Sequence, residues 1–385
     1  MSAPVVIVGS GLAGYTVARE FRRLDRQTPL VVISRDHGGF YSKPMLSNAL
    51  ASNKTAASLV MKPVQKMAEE LAADIRCHSG VKHLDTASRT LTLDNGDTLA
   101  WRDLVLALGA DPIAPNLPGS AGGEVLSVND LDDYARFSER LSGRDRVVIL
   151  GGGLIGCEFA NDLLSRGVTP VVLDPGMGPL SRLLPPQASA WMRDKLRAAG
   201  VQFEWGVTAT AVDRAAGSEH LEVTLSDGRT LSAGLVLSAI GLRPRVDVAR
   251  AAGLNVQRGI VTDAHLATSA EHVYAVGDCA EVVGHSLPYV LPLMSQGRAL
   301  AATLAGTRTP VVYPAMAVTV KTPACPTVVC PPPLATPGVW EERVGEEGFE
   351  ARCLDTDGSL LGFALLGSAT AQKQALVAQV RPWLT

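Results

Sequence analysis

Short runs of apolar residues recur along the chain and predict buried β-strands. The clearest runs are residues 5–8, 30–33, 104–108, 147–150, 170–173 and 235–240. Runs with helix-like spacing follow the strands at residues 5–8 and 147–150. Strands and helices that alternate in this way are typical of an α/β fold.

Two glycine-rich loops join strand to helix, about 140 residues apart. They read Gly9-Ser10-Gly11-Leu12-Ala13-Gly14 and Gly151-Gly152-Gly153-Leu154-Ile155-Gly156. In such a loop the first glycine permits a tight turn, the second lets the backbone approach a pyrophosphate, and the third allows the helix to pack on the strand. The helix N-terminus then faces the anion. Two loops in this context predict two bound dinucleotides, with hydride passing between them.

Each glycine loop belongs to a longer unit, and the two units share one design. Polar and apolar residues alternate over residues 89–99 around Asn95-Gly96, which predicts a small β-meander, and a second meander is predicted around Asp227-Gly228. The proline-rich residues 111–119 are typical of a linker. We therefore expect two similar domains, with a boundary after residue 111.

Composition narrows the class of protein only slightly. The 385 residues are 46% hydrophobic and 19% charged, as in ordinary globular proteins. The sequence shows neither a membrane-spanning run nor a signal peptide pattern, so we expect a cytoplasmic location. Six scattered cysteines favour reduced thiols, although Cys325 and Cys330 form one candidate redox pair. Seven histidines show no metal-binding spacing, and no metal is expected.

Positive charge is concentrated near the start of the sequence. Residues 1–66 carry a net charge of +6, which leaves −9 for the rest. Helical spacing places Arg19, Arg22, Arg23 and Arg26 on one face of the first helix. This face is either a solvated surface or a docking patch for an acidic partner.

The second strand of each unit ends where an acidic residue usually contacts a ribose. In the first unit that place holds Ser34, followed by Arg35, and Asp36 could substitute for the missing acid. In the second unit it holds Asp174, 18 residues after Gly156. Its carboxylate would accept hydrogen bonds from ribose hydroxyls and repel a 2′-phosphate, which favours NADH over NADPH. An ordinary surface aspartate is the alternative interpretation.

A third motif carries a specific resemblance. The segment Thr268-Ser-Ala-Glu-His-Val-Tyr-Ala-Val-Gly277-Asp278 resembles the second flavin motif of the two-dinucleotide flavoprotein reductases. The resemblance implies that Asp278 holds the FAD ribityl chain. It also implies an FAD-binding domain formed by residues 1–111 and 246–313, an inserted NAD-binding domain at 112–245, and a C-terminal domain at 314–385.

The same resemblance assigns further cofactor contacts. A helix is expected with Pro292 at its start and Gly306 past its end. The resemblance implies that it points its N-terminus at the flavin, where the helix dipole stabilises the anionic reduced ring. The backbones of Val81, Gly109 and Val290 would line the FAD site. Lys43 would lie near the reactive flavin nitrogen, and Glu158 would pair with it.

Electrons are expected to leave the flavin for an external acceptor. Disulfide reductases of this superfamily carry cysteines beside the flavin, whereas residues 37–53 contain none. Residues 318–333 resemble the rubredoxin reductase family, and Lys321 replaces an aromatic residue that is usual in related reductases. Lys321 is therefore a candidate to stabilise reduced flavin or to contact an acidic carrier.

The resemblance to the rubredoxin reductases covers nearly the whole chain. It implies an α/β fold with two Rossmann-like dinucleotide-binding domains, small β-meanders and a small α+β C-terminal domain. It also implies tightly bound FAD, NADH as electron donor, and transient binding of rubredoxin, a small acidic electron carrier. Neither nucleic acid nor membrane is expected as a partner. The alternatives are a ferredoxin or flavorubredoxin reductase, or a redox-sensing interaction protein that binds FAD and NAD.

The candidate site residues follow from these motifs. The catalytic candidates are Lys43 and Glu158. The cofactor-binding candidates are Gly9, Gly11, Leu12, Ala13, Gly14, Ser34, Arg35, Lys43, Val81, Gly109, Gly151, Gly153, Leu154, Ile155, Gly156, Glu158, Asp174, Gly241, Asp278, Val290 and Lys321.

Overall fold

A computed structural model of the chain describes residues 3–333 and 336–384. In chain order, residues 3–112 hold β1 (Val5–Val8), α1 (Leu12–Leu24), β2 (Leu30–Ile33), a 3-10 helix (Lys43–Asn48), α2 (Ala56–Leu59), α3 (Val64–Leu71), β3 (Asp74–Arg76), β4 (Val81–Asp85), β5 (Thr90–Leu93), β6 (Thr98–Ala100), β7 (Asp103–Leu106) and β8 (Ala110–Pro112). Within the described residues, no helix is both long enough and apolar enough to cross a bilayer.

The next segment repeats the same succession of elements. It holds a 3-10 helix (Gly122–Glu124), α4 (Leu131–Leu141), β9 (Arg146–Leu150), α5 (Leu154–Leu164), β10 (Thr169–Asp174), α6 (Pro186–Ala198), β11 (Gln202–Trp205), β12 (Ala209–Arg214), β13 (Leu221–Leu225), β14 (Thr230–Ala233), β15 (Leu235–Ser238) and β16 (Leu242–Pro244).

The remaining described residues form the rest of the fold. They hold α7 (Asp247–Ala251), β17 (Ile260–Thr262), β18 (Val273–Ala275), a 3-10 helix (Gly277–Cys279), β19 (Ala280–Val282), α8 (Val290–Leu304), β20 (Val318–Val320), β21 (Thr327–Cys330), β22 (Val339–Val344), β23 (Gly348–Leu354), β24 (Leu360–Gly367), a 3-10 helix (Ser368–Gln372) and α9 (Lys373–Val377).

Two parallel sheets form the centre of the fold. The first has the strand order β18-β7-β1-β2-β3, and the second has the order β11-β10-β9-β15. Every residue of β1, β2 and β7 is buried, which explains why these strands read as continuous apolar runs. The predicted α/β fold with two Rossmann-like units is confirmed. The edge strand β18 comes from far along the chain and completes the first sheet.

Both predicted meanders are present as three-stranded antiparallel sheets. One has the order β4-β5-β6 and turns at Asn95-Gly96, and the other has the order β12-β13-β14 and turns at Asp227-Gly228. The chain leaves the first unit at β8 and leaves the second unit at β16. These two strands pair in antiparallel orientation. The predicted linker therefore begins inside a strand. The domain limits stay a prediction.

The C-terminal domain is an antiparallel sheet with the order β20-β21-β24-β23-β22. Alternate residues of β24 face opposite sides, so Leu365 packs with Leu376 of α9 while Leu366 joins the core that contains α6. The indole of Trp191 in α6 lies 6.5 Å from the ring of Phe349. These contacts fix the C-terminal sheet against the second unit.

The structure gives Arg22 of α1 a packing role. The Arg22 guanidinium donates hydrogen bonds to backbone carbonyl oxygens of the residues Asp25, Thr28, Leu71 and Ala72. Arg22 therefore ties the end of α1 to α3. Helical spacing within α1 could not reveal this contact, because two of the carbonyl groups lie at the end of α3. The docking patch stays a prediction.

Two other arginines of this face also have partners within the chain. Arg19 forms an ion pair with Glu70 and lies 4.1 Å from the centre of the Phe40 ring. Arg23 pairs with Glu20 at 2.8 Å on the helix surface. Arg22 is also about 15 Å along α1 from the glycine loop, at 1.5 Å per residue. Arg19 and Arg22 therefore stabilise the packing of α1, whereas Arg23 lies on its surface.

Candidate functional site

A cavity of about 1140 Å³ lies where the two units and the C-terminal domain meet. Ligand cavities commonly measure about 300–1,000 Å³, so this one has room for a dinucleotide. Of the predicted site residues, these line it: Gly9, Gly11, Leu12, Ala13, Ser34, Arg35, Lys43, Val81, Gly109, Leu154, Ile155, Glu158, Gly241, Asp278, Val290 and Lys321. The others, Gly14, Gly151, Gly153, Gly156 and Asp174, lie outside its wall.

The first glycine loop has the geometry that a pyrophosphate needs. A Cβ added at Gly9 would lie 2.1 Å from the oxygen of Ala107, and one added at Gly14 would lie 1.9 Å from the oxygen of Gly9. A Cβ added at Gly11 would meet no described atom within 4 Å. Gly9 and Gly14 are therefore required for packing, whereas Gly11 leaves space at the N-terminus of α1 for an anion.

Ser34 supports a carboxylate beside this loop. Its hydroxyl lies 2.6 Å from the hydroxyl of Ser10 and donates to Oδ1 of Asp36 at 2.6 Å. The amide of Gly38 donates to the same oxygen at 2.9 Å. Asp36 lines the cavity, so the carboxylate missing from the end of β2 is present two residues further on.

The predicted ion pair between Lys43 and Glu158 is wrong. Glu158 is fully buried and pairs with the ammonium of Lys321, and the Lys321 backbone amide donates to it at 2.9 Å. Lys43 instead donates to Oδ1 of Asn129 at 2.6 Å. Glu158 pairs with Lys321 rather than Lys43 because Lys321 directly follows β20 and approaches Glu158 with both its backbone and its side chain.

Asn129 is a site residue that the sequence analysis missed. Its amide nitrogen donates to the carbonyl oxygen of Ala110 at 3.1 Å, which orients the side-chain oxygen that accepts from Lys43. The neighbouring Asp130 caps α4, and this capping pattern was the only local signal. Burial lowers the pKa of Lys43, while the carboxylate of Asp278 opposes that shift.

Two carboxylates of α5 hold the segment that carries Lys43. Glu158 accepts from the hydroxyl of Ser47 at 2.5 Å. One turn later, Asp162 accepts from the amides of Leu50 and Ala51 at 3.0 and 2.9 Å. Burial raises the pKa of Asp162 to about 6. A helix of the second unit thus fixes a cavity segment of the first.

The turn of Gly277–Cys279 places Asp278 in the cavity wall. The N-terminus of α8 opens onto the same cavity through Val290 and Leu291. This helix begins two residues before Pro292, where the sequence predicted its start, and ends at Leu304, so that Gly306 lies past its end as predicted. The positive end of the dipole of α8 therefore faces the space beside Asp278.

The second glycine loop repeats the geometry of the first outside the main cavity. A Cβ added at Gly156 would lie 1.9 Å from the oxygen of Gly151, whereas one at Gly153 would meet nothing within 4 Å in the described chain. Asp174 accepts hydrogen bonds from the amides of Gly152 and Gly176 at 2.6 and 2.7 Å. Its carboxylate therefore lies at the loop, at the end of β10.

Arg245 is a second residue that the sequence analysis missed. Its guanidinium lines the cavity, donates to Asp111 at 2.7 Å and donates to the carbonyl oxygen of Leu108 at 2.9 Å. Arg245 follows β16, and Asp111 lies in β8, so the charge pair closes the junction between the units. Nothing local in the sequence distinguishes this arginine from a surface residue.

Cysteines are separate from the cavity in the part of the chain that the structure describes. All six are unpaired thiols, five of them buried and Cys77 half-buried. Burial raises the pKa of Cys325 and of Cys330 to about 11, which disfavours the reactive thiolate. No described residue that lines the cavity is a cysteine. In the described chain, no cluster of three or more acidic, histidine or cysteine side chains could hold a metal ion.

Comparison with protein families agrees with this architecture. The family described as pyridine nucleotide-disulphide oxidoreductase matches residues 3–303. The chain belongs to this family. A second family, described as rubredoxin binding C-terminal domain, matches residues 310–380. The pyridine nucleotide-disulphide oxidoreductase assignment explains the pair of glycine loops, and the second match covers the sheet that supplies Lys321.

The similarity to individual relatives covers nearly the whole chain of this oxidoreductase. A rubredoxin-NAD(+) reductase from Alcanivorax borkumensis is 51% identical over 373 residues, which is 97% of each chain. A protein of the same name from Acinetobacter baylyi is 46% identical and covers 97% of this chain and 96% of its own. A ferredoxin reductase structure from Rhodopseudomonas palustris has a TM-score of 0.88 at 28% identity, with coverage of 99% and 96%.

Proposed function

We propose that this chain is an FAD-dependent NADH:rubredoxin reductase. The observation that carries the proposal is the junction itself: a domain of the rubredoxin-binding class delivers Lys321 into a cavity that begins at a dinucleotide-binding loop. The relatives named rubredoxin-NAD(+) reductase support it. The domain limits at residues 111, 245 and 313 belong to the same proposal.

The described residues fit FAD in the main cavity. Gly11 and the N-terminus of α1 would bind the pyrophosphate, Asp36 the adenosine ribose, and Asp278 the ribityl chain. Bound FAD supplies a ring that accepts hydride from NADH and releases electrons singly. Lys43, Lys321 and the N-terminus of α8 direct positive charge towards that ring. Such fixed charges stabilise negative charge without reorganisation.

The second loop would bind NADH. Gly153 leaves open space at the N-terminus of α5 for the pyrophosphate, and Asp174 lies where the adenosine ribose hydroxyls would be. Along α5, Leu154, Ile155 and Glu158 reach the main cavity. This single helix therefore leads from the nucleotide loop to the reacting end of the cavity.

The expected electron path ends outside the chain. With no described cysteine in the cavity wall, the chain lacks the thiols of a disulfide relay at this place. Electrons would pass from the cavity to a small acidic carrier docked transiently at its rim. Pathways that use such a reductase include alkane hydroxylation and removal of oxygen or nitric oxide. We also propose a cytoplasmic location, since six unpaired thiols and a reduced nicotinamide suit a reducing compartment.

Anaerobic stopped-flow mixing tests the proposal. NADH should bleach the flavin absorbance of the purified holoprotein, NADPH should do so more slowly, and oxidised rubredoxin should then restore the colour. A flavin that stays oxidised with excess NADH would contradict an enzymatic role and favour the redox-sensing alternative. A protein that purifies colourless and stays colourless with added FAD would remove the flavoprotein assignment.

A second acceptor deserves a direct comparison. A relative named nitric oxide reductase FlRd-NAD(+) reductase, from Aeromonas salmonicida, is 36% identical and covers 99% of this chain and 97% of its own. Turnover with equal concentrations of rubredoxin, a flavorubredoxin and a ferredoxin separates the candidates. We expect the highest kcat/KM with rubredoxin. A higher value with either other carrier would replace rubredoxin as the acceptor.

A further inference from the structure

A buried relay of two hydrogen bonds joins α8 to the turn that carries Asp278. Gln296, in the second turn of α8, is 2% exposed. Its side-chain oxygen accepts from the amide of Gly277 at 2.7 Å, and its side-chain nitrogen donates to the hydroxyl of Tyr313 at 2.7 Å. The side chain of Gln296 thus connects two segments that are distant in the sequence.

Gly277 needs the acceptor that Gln296 provides. It begins the short 3-10 helix of Gly277–Cys279, and the first amides of a helix lack partners within that helix. Its φ is +74°, and a Cβ added there would lie 2.8 Å from Cβ of Ala13 in the first glycine loop. The backbone at Gly277 is therefore pressed against the nucleotide loop in a conformation that favours glycine.

Tyr313 anchors the other end of the relay. It is 1% exposed, its amide donates to the carbonyl oxygen of Leu384 at 2.9 Å, and its carbonyl accepts from the amide of Trp383 at 2.8 Å. Burial raises the pKa of its hydroxyl to about 12, so the hydroxyl remains neutral at physiological pH. One backbone segment, Trp383 and Leu384, therefore fixes the backbone of the residue that receives the hydrogen bond from Gln296.

We propose that Gln296 is a positioning residue for the cofactor: anchored by Tyr313, it holds the Gly277–Asp278 turn so that Asp278 faces the cavity. The inference rests on the proposed function, in which Asp278 contacts FAD. Gln296 lies behind the cavity wall and acts through the backbone of Gly277. Because that backbone also touches Ala13, the relay sets the spacing between Asp278 and the nucleotide loop.

The test is FAD binding by the apoprotein, followed by quenching of flavin fluorescence. Gln296→Met keeps the length of the side chain but removes the acceptor, and should weaken FAD binding about tenfold, the effect of one unsatisfied buried amide. Gln296→Glu retains an acceptor and should stay within about threefold of the unsubstituted chain. Tyr313→Phe should weaken binding by an intermediate factor.

A double variant tests whether Gln296 and Tyr313 act through one relay, and a third substitution in α8 serves as control. The double variant of Gln296→Met with Tyr313→Phe should bind FAD no more weakly than Gln296→Met alone, since both changes break one relay. Thr303→Ala removes a hydroxyl that bonds to Ala299 and Thr309 about 10 Å further along α8, and should leave FAD affinity unchanged.

Each outcome bears on one proposal. Unchanged affinity in Gln296→Met, or an equal loss in Gln296→Met and Gln296→Glu, would overturn the positioning role. If Gln296→Met does not fold, Tyr313→Phe decides, and unchanged affinity there would overturn it. Unchanged affinity in Asp278→Asn would instead remove the cofactor role of Asp278 in the proposed function, because that variant alters the proposed contact itself.

Discussion

Lys43 has a neutral partner where the family resemblance implied a charged one. The side-chain oxygen of Asn129 accepts its hydrogen bond without supplying a negative charge. The one fully buried carboxylate at this place, Glu158, is taken by Lys321. Since burial disfavours the charged ammonium, the pKa of Lys43 is lowered. The site therefore contains two lysines, one paired with a carboxylate and one hydrogen-bonded to a neutral amide.

A carboxylate in place of Asn129 should reverse this effect. In Asn129→Asp the negative charge favours the ammonium of Lys43, so its pKa should rise by about 1–3 units, as for a group within about 6 Å of an opposite charge. The basic limb of the pH profile for flavin reduction by NADH should move to higher pH by a similar amount. Stopped-flow reduction rates across the alkaline range measure it.

Asn95→Asp is the matched control for this prediction. It adds the same charge in an exposed hairpin turn of the first unit, where Asn95 contacts Asp97. Its pH profile should coincide with that of the unsubstituted chain. An unmoved basic limb in Asn129→Asp would show that the protonation of Lys43 does not govern the rate of hydride transfer.

Asp174→Asn should relax the choice between nicotinamide cofactors. In the proposed NADH site the carboxylate at the end of β10 would repel the 2′-phosphate of NADPH, and removing its charge would weaken that repulsion. We expect the ratio of kcat/KM for NADPH to that for NADH to rise about tenfold, or about 1.4 kcal/mol. Asp194→Asn, an exposed acid of α6, serves as control. An unchanged ratio would contradict the assigned ribose contact.

At the scale of elements, α5 connects more of the site than any local motif indicates. Its N-terminus forms the second glycine loop, its first turns line the cavity, and its two buried carboxylates hold the segment of Lys43. Glu158 and Asp162 lie four residues apart, so both point from one face of the helix. Movement of α5 would therefore displace Lys43 and the NADH loop together.

Asp162 should give the chain a pH-dependent stability. Its folded-state pKa of about 6 lies above the usual value for an aspartate. Between about pH 4 and pH 6 the folded chain therefore keeps a proton that the unfolded chain has released. The free energy of unfolding should fall as pH rises through this window. Urea unfolding of the unsubstituted chain and of Asp162→Asn at several pH values measures the difference.

The variant comparison isolates this single group. Asp162→Asn cannot titrate, so its free energy of unfolding relative to the unsubstituted chain should rise between about pH 4 and pH 6 and level off above that range. Asp97→Asn removes an exposed acid and should show no such relative change. Parallel curves for Asp162→Asn and the unsubstituted chain would exclude Asp162 as the source.

At the scale of the whole molecule, three parts of the chain converge on one cavity. The first unit supplies the glycine loop and Lys43, the second supplies Glu158, and the C-terminal sheet supplies Lys321. β18 returns to the first sheet after the second unit is complete. Arg19 and Arg22 of α1 stand apart from this convergence, because both contribute to the packing of α1 on neighbouring segments.

Arg22→Gln should therefore lower stability and leave electron transfer unchanged. It removes several hydrogen bonds to half-buried backbone carbonyl groups at the contact of α1 with α3, for an expected loss of about 1–3 kcal/mol in the free energy of unfolding. Arg23→Gln breaks only a surface ion pair and should cost less than about 1 kcal/mol. Urea unfolding and rubredoxin reduction at 20 °C test both. Slower carrier reduction with unchanged stability would instead support the docking patch.

Local spacing in the sequence was sufficient to predict the elements whose geometry depends on neighbouring residues. The glycine loops, the meander turns, the apolar strands and the end of α8 follow from backbone geometry within a few positions, and all are present. The resemblance to a known family added the returning segment. The sequence did not reveal Asn129, Arg245 or Gln296, because each acts on a partner that is distant along the chain.

The sequence by itself determined two nucleotide units and the absence of cysteines from residues 37–53, since strand periodicity and loop spacing are local properties. Only the tertiary structure decided which charges pair. Glu158 pairs with Lys321, which the C-terminal sheet supplies. Lys43 donates a hydrogen bond to Asn129, which lies just before α4. Neither partner belongs to the sequence motif that contains Lys43 or Glu158. A buried charge binds whichever partner the fold brings within hydrogen-bonding distance, and sequence spacing carries no measure of that distance.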